Sequence, residues 1–464
     1  MILQRLTHDL GRRLGVDRAV AFTLVARAVQ MLGSTGTVLL IVHFLSPIEQ
    51  GYYYTLLSLV ALQVIFEVGF AVIVLQMAAH ESAHLSFQRD GTVEGDPIAY
   101  ARLASVLQQA TKWYLAAGTL MLLILTPVGM YFFYHHSQAG APVSWQAPWI
   151  VTLAICVVNF IQNPIFSFLE GCGQVPAVAH TRMWQSLAGT ILAWSAMLLH
   201  HGLFSPAMVL AGNGIVGFAF FWTRRSFLLP LFWFTAGQDS VRWGKEVWPF
   251  QWRIAISWMG TYFTAQIFMP ILFAYRGPVE AGQMGMSISI TGYLGALVLS
   301  WMHTKAAPFG QLVVRREFSK LDDLFFRTLK QSVVILSTAV AVFLAGVVVL
   351  GHVYPKLANR VVSPPVFMLL CLTGISNYIV QSEAIYLRSF KREPFLFQST
   401  IVAALTIGTT LAVAGRWGVE SVAVGYFVCS GVIGLAIATN IFLRWRARRV
   451  RQASLMAQYS VPLP

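Results

Sequence analysis

Twelve stretches of the sequence are each long and apolar enough to cross a bilayer: residues 20–44, 51–78, 112–134, 147–168, 180–200, 206–223, 247–275, 281–304, 331–353, 364–387, 394–414 and 419–443. A helix needs about 20 such residues to cross the hydrocarbon core. Backbone polar groups find no water there, so spanning segments are either helices or strands of a closed barrel. Barrel strands alternate polar and apolar residues, whereas these runs are continuous. The expected fold is therefore an all-α polytopic membrane protein with twelve transmembrane helices. Charged residues make up only 11% of the chain, against about 25% in soluble domains.

A hexapeptide occurs twice between such runs. Ser46-Pro47-Ile48-Glu49-Gln50-Gly51 and Gly277-Pro278-Val279-Glu280-Ala281-Gly282 share Pro, a β-branched residue, Glu and Gly in the same order, 231 positions apart. Pro and Gly stop helices and turn the chain, and Glu keeps the turn in water. Asn159-Phe160-Ile161, Leu169 and Pro176 match Asn377-Tyr378-Ile379, Leu387 and Pro394 at the similar offset of 218. Two ordered matches predict two related halves, residues 1–235 and 236–464. Six spans in each half bring both halves in from the same side, so the two six-helix bundles are expected to be parallel and pseudo-symmetric.

The formal charge of +14 does not indicate nucleic-acid binding, because the charge is confined to loops. Of 32 lysines and arginines, 28 fall on the N-terminal side; only Arg276, Lys356, Arg360 and Arg416 fall on the other. The positive-inside rule then places both termini in the cytoplasm. Residues 1–18 are polar and basic and predict no cleavable signal peptide. The inner loop 305–330 alternates Leu312, Phe318, Leu321, Leu324 and Phe325 with Arg315, Arg316, Lys320 and Arg327, which predicts an interfacial helix on anionic lipid. The basic tail 444–451 reads as a stop-transfer anchor.

No phosphate-binding G-x-x-x-x-G-K-[ST] loop occurs, so this chain is not expected to hydrolyse ATP. No histidine pair has metal spacing, and Cys156, Cys172, Cys371 and Cys429 read as small hydrophobes. Neither catalysis nor a cofactor is expected, apart from a coupling ion. The informative residues are polar ones inside the spans. Thr23, Arg27, Gln30, Ser34 and Thr37 follow helical steps along one face of the first span. Arg253, Ser257, Thr261 and Thr264 do the same in the seventh. Each stripe carries an arginine toward its cytoplasmic end, and a stripe of this kind is expected to face a cavity or the bundle interior. Packing accounts for the hydroxyls equally well, and snorkelling for Arg253. Glu67 and Glu383 are intramembrane acids, candidates for coupling to H⁺ or Na⁺, or for pairing with an arginine such as Arg27. Pro164 is expected to free a carbonyl that Asn159, Gln162 or Asn163 satisfies. Tyr52, Tyr53 and Tyr54 read as an interfacial belt, while Tyr262 and Tyr293 are candidates to meet sugar.

The two six-span halves and the repeated P-[IV]-E-x-G turn resemble the polysaccharide transporter branch of the MOP (multidrug/oligosaccharidyl-lipid/polysaccharide) exporters, which includes Wzx-type O-antigen flippases. So do Pro249-Phe250-Gln251-Trp252-Arg253 and Leu387-Arg388-Ser389-Phe390-Lys391-Arg392-Glu393-Pro394. The resemblance implies two bundles around a central cavity lined by the first, second, seventh and eighth spans. It implies a bacterial inner-membrane protein that flips a polyprenyl-diphosphate-linked glycan outward, chemically unchanged, in lipopolysaccharide or related polysaccharide synthesis. Polymerases and glycosyltransferases are then the expected partners. On that reading Arg27, Arg253, Gln30, Ser34, Ser257 and Thr261 bind substrate. Two other functions remain open: an ion-coupled multidrug exporter, against which the leading arginines argue, and a non-transporting scaffold for polysaccharide enzymes.

The topology has a direct test. In a chain lacking its native cysteines, single cysteines at Ser137 and Ala281 should react with an impermeant thiol reagent added outside intact cells. One at Ser319 should react only after permeabilisation; labelling before it would reverse the orientation.

Overall fold

Ser46 and Glu49 begin the first hexapeptide with a reciprocal cap. The Glu49 amide donates to Ser46 Oγ at 3.2 Å, and the Ser46 amide donates to the Glu49 carboxylate at 2.8 Å. Pro47 then occupies the first turn, where its missing N–H costs nothing. In the second copy Pro278 likewise opens a helix, and Glu280 takes a hydrogen bond from Arg276 Nε at 3.1 Å. Both copies thus start the second span of their half.

The computed structural model describes residues 33–87, 92–136, 143–235, 241, 243–246, 248, 259–260, 262–353, 358–390 and 395–459. In chain order the helices are α1 (Gly33–Phe44), α2 (Pro47–Val60), α3 (Gln63–Glu67), α4 (Phe70–Ser82), α5 (Pro97–His136), α6 (Gln146–Gly171), α7 (Val175–Leu198), α8 (Ser205–Thr223), α9 (Arg225–Trp233) and α10 (Trp243–Glu246). They continue as α11 (Phe268–Arg276), α12 (Pro278–Thr304), α13 (Ala306–Val314), α14 (Phe318–Val353), α15 (Pro364–Arg388), α16 (Leu396–Tyr426) and α17 (Leu435–Tyr459), with a π-helical stretch Phe427–Gly434 before the last. Each predicted span falls mainly on helix where it is described, with turns inside the second span at 61–62 and 68–69 and inside the seventh at 266–267. Spans eleven and twelve run together and are separated by Gly418, whose φ of 72° only glycine adopts freely. Leu123, Ile215 and Val342 on the spans are 68%, 63% and 68% exposed, which suits hydrocarbon and not water. The chain is a multi-pass helical membrane protein.

Contacts divide it into two compact units, one of Met1–Tyr262 with Arg276–Gly282, the other of Phe263–Tyr275 with Gln283–Pro464. Within the first, the two hexapeptides touch. A Cβ on Gly51 would lie 1.9 Å from the Pro278 carbonyl oxygen, and one on Gly282 would lie 2.8 Å from the Gly51 nitrogen. Buried Gln50 donates to the Gly282 carbonyl at 2.9 Å. Ala281 is itself fully buried, so Glu280 is the better position for an external label. Tyr52, Tyr53 and Tyr54 are all buried too, Tyr52 stacking on Phe133. They are core residues of this unit, because α2 turns that face to protein, and they form no interfacial belt.

The loop after the second span is more ordered than its mixed composition suggests. Leu85–Phe87 and Val93–Gly95 pair as an antiparallel hairpin, with β1 opposite β2. Asp96 caps α5 by accepting from the Ile98 amide at 3.0 Å. The first turns of α5 then hold the connector that follows the sixth span. Gln108 donates to the carbonyls of Leu231, Phe232 and Phe234 at 2.8, 3.2 and 2.7 Å. Ser105 Oγ accepts from the Val241 amide at 3.0 Å.

In the second unit the expected interfacial helix is absent as such. Arg316, at φ 58°, separates α13 from α14, and α14 continues straight into the ninth span. Its apolar stripe faces protein: Leu321 and Phe325 are fully buried against Tyr386, Leu387 and Phe442. The tail is also more than an anchor. Arg446 Nε and Arg449 Nη2 each reach Asp322 at 2.8 Å, and Tyr386 OH donates to the same carboxylate. Arg449 sits among the rings of Phe318, Tyr386, Phe390 and Trp445. The start of α14, the end of α15 and the middle of α17 are thereby tied together.

Gly51→Ala has no room and should destabilise the purified protein by about 1–3 kcal/mol, the usual cost of overpacking. Gly374→Ala, on α15 with nothing within 4 Å of the new methyl, should leave the unfolding midpoint unchanged or raise it. Equal midpoints for Gly51→Ala and wild type would show that the two turns do not pack in the membrane.

Candidate functional site

The second span is broken where its acid sits. α3 ends at Glu67, Val68 (φ 53°) and Gly69 (φ 65°) are left-handed, and α4 resumes at an angle of 45°. A β-branched residue in that region stores roughly 1–3 kcal/mol of strain. Breaks of this kind mark binding sites in transporters, because they free backbone groups in mid-membrane.

Glu67 is buried, and one of its oxygens, Oε1, accepts from Tyr114 OH at 3.1 Å and from Asn163 Nδ2 at 2.7 Å. Its expected partner Arg27 lies outside the described residues. The other oxygen has no protein partner among them and borders a cavity of about 230 Å³ within the first unit. Gln63 and Glu67 line it from α3, and Asn159, Phe160, Gln162, Asn163 and Phe166 from α6. Arg182 and Gln185 come from α7, Asn213 from α8. The α6 amides do not heal the helix at Pro164 as expected. Asn159 donates to Ile155 and Leu210 carbonyls at 3.0 and 2.9 Å, and Gln162 to Gly214 at 3.2 Å. They fasten α6 to α8 and wall the cavity.

The second unit holds an analogous seam. Asn377 donates to Tyr426 OH at 3.2 Å and accepts from Ser430 Oγ at 2.9 Å. Asn159 and Asn377, matched in the repeat, thus each bond to the sixth span of their own half. Glu383 is buried; Thr439 donates to its Oε1 at 2.9 Å, and Oε2 has no partner among the described residues. An ionised carboxylate in that position would be costly, which makes Glu383 a second functional candidate.

Of the six candidate substrate residues, only Ser34 is described; Arg27, Gln30, Arg253, Ser257 and Thr261 lie outside the described residues. Ser34 is half-buried on α1. Its neighbour on the stripe, Thr37, accepts from Trp194 Nε1 at 2.9 Å, which makes that position a packing contact with α7. Tyr262 is buried, its hydroxyl donating to the Ser58 carbonyl at 3.1 Å, whereas Tyr293 is exposed. Sequence reading missed Arg182, Gln185 and Asn213. A partial signal was present: Arg182 and Gln185 stand three apart near the start of the fifth span.

No family model matches the chain, and no curated protein matches it. Solved structures do. A multidrug resistance MATE family transporter of the MOP superfamily, in an outward-facing conformation, superposes with a TM-score of 0.61 at 13% identity, over 93% of this chain and 94% of that one. The lipid II flippase MurJ, in an inward closed conformation, gives 0.60 at 14% identity over 96% and 93%. A MOP superfamily transporter from Pyrococcus furiosus gives 0.59 at 14% over 92% and 94%. Identities this low show the fold alone: this chain has the twelve-helix MOP fold of two pseudo-symmetric six-helix bundles.

Proposed function

We propose that this chain is a flippase that moves a polyprenyl-diphosphate-linked glycan from the cytoplasmic to the outer leaflet of a bacterial inner membrane. Both termini are then cytoplasmic, and residues 1–235 and 236–464 are the two halves. The substrate leaves unchanged, so no catalytic residue is assigned. Polymerases and glycosyltransferases of the same polysaccharide are the partners this implies.

One observation carries the reading: in each half, the polar stripe of the first span holds an arginine near its cytoplasmic end, Arg27 or Arg253. Guanidinium stays charged at any relevant pH and grips phosphate through a planar fork. Gln30, Ser34, Ser257 and Thr261, farther along the stripes, would meet the rest of the headgroup. A lipid II flippase with this fold supports the substrate class. Glu67 and Glu383 are the acids through which an H⁺ or Na⁺ gradient would act.

A second reading, an ion-coupled multidrug exporter, is favoured by the same two carboxylates and by the MATE neighbours. Proteoliposomes separate the two. Flipping of a fluorescent lipid-linked glycan supports the first, efflux of a cationic dye the second, and neither would leave a scaffold. Arg27→Ala should abolish flipping while the protein remains folded, and Arg27→Lys should restore it in part. Well-folded, fully active Arg27→Ala protein would refute the arginine site. Glu67→Gln and Glu383→Gln are tested with and without a gradient; the coupling residue is the one whose variant flips at a gradient-independent rate. Unchanged gradient dependence in both would leave them structural.

A further inference from the structure

The cavity beside Glu67 has a polarity that packing does not require. Four amides that line it spend their N–H₂ groups on protein. Asn159 and Gln162 bond to carbonyls of α8, Asn163 to Glu67, and Gln185 to the Asn213 carbonyl at 2.9 Å. The amide oxygens of Asn163 and Gln185, and the second oxygen of Glu67, have no protein partner among the described residues and are left as open acceptors. The side-chain amide of Asn213 has no protein partner there either, and Gln63 keeps its donors, its oxygen accepting from Cys156 Sγ at 3.1 Å. Donors and acceptors thus belong to residues lining one small space, and Phe160 and Phe166 add apolar lining.

Size and charge narrow the occupant. At about 230 Å³ the space is smaller than the roughly 300–1,000 Å³ that drug-sized ligands occupy. Among the described lining residues Arg182 is the one cation; Glu170 engages it at 3.3 Å, and Glu67 lines the same cavity. Those residues offer a diphosphate no cationic pair, and an organic cation would meet a guanidinium. A ring bearing several hydroxyls, each both donor and acceptor, matches the open groups.

We propose that this cavity is a monosaccharide subsite that takes one sugar ring of the lipid-linked glycan. Its role as a cargo site rests on the flippase reading above; its affinity for sugar does not. The broken second span places Glu67 at the same cavity, so the subsite and a coupling acid share one wall.

The test uses full-length protein in lipid nanodiscs and saturation-transfer NMR with the methyl glycosides of a hexose, an N-acetylhexosamine and a hexuronate, in sodium chloride and in choline chloride. Transfer to the ring protons of at least one glycoside is expected in both salts. Gln185→Leu with Asn213→Leu should weaken it about tenfold, as two lost hydrogen bonds would. If that pair does not fold, Gln185→Met alone carries the test, with about a threefold loss. No transfer to any glycoside, transfer unchanged in the folded variant, or a response to sodium alone each overturns the subsite. Sugar binding by a protein that flips no lipid-linked glycan would sustain the subsite and refute the flippase reading.

Discussion

A polar atom in the membrane-spanning part of this chain has only other protein atoms, or a ligand, to bond to. Most hydroxyls meet that demand locally by donating one turn back, as Thr152 does to Pro148 and Thr328 to Leu324. Amides and acids have more groups to satisfy and cross to another helix as well, Asn159 keeping one bond of the local kind to Ile155. Asn159, Gln162 and Asn163 do so from a single helix, one turn of which reaches both α3 and α8. The first unit is organised around those crossings. Where they fall short of full pairing, at the second oxygen of Glu67 and the oxygens of Asn163 and Gln185, the bundle encloses a cavity.

The same demand explains the helix ends. Asp322 is buried with two arginines and a tyrosine, and Arg449 is enclosed by four rings. Removing one member of a buried ion pair typically costs about 3–5 kcal/mol, since its partner is left uncompensated. The network therefore commits α14, α15 and α17 to one arrangement. The connector on α5 is fixed in another way, by side-chain amides that satisfy a chain of carbonyls with no helix to serve them.

Hydropathy made the spans legible, because continuous apolar runs have one physical solution in lipid. The hexapeptide repeat was legible for a similar reason: Pro, Glu and Gly act locally, so their pattern survives in sequence. What was not legible depended on which face each helix turns to which neighbour. Tyr52, Tyr53 and Tyr54 have the composition of an interfacial belt but the burial of a core. Leu321 and Phe325 form an amphipathic stripe whose apolar partner is protein and not lipid. Arg446 and Arg449 read as anchor charges until Asp322, more than a hundred residues earlier, is brought to them. In the candidate site, Glu67 stood out as a lone acid in an apolar run. Arg182, Gln185 and Asn213 did not, since polar residues on separate helices declare a cavity only once the helices are packed.

The break at Val68–Gly69 brings these points together. A continuous helix would satisfy its own backbone and keep the side chains of this segment on fixed faces. Two left-handed residues in succession, one of them β-branched, are tolerated only where the surrounding packing enforces them. Here the enforcing contacts include the hydrogen bonds from Tyr114 and Asn163 to Glu67, directly before the break. Protonating Glu67, or placing a cation on its open oxygen, would change the strength of those bonds and hence the force that maintains the strain. A ligand in the same cavity acts on the same bonds. The acid, the kink and the cavity thus form one hydrogen-bonded element of the first unit, in which the state of Glu67 bears on the angle of the second span.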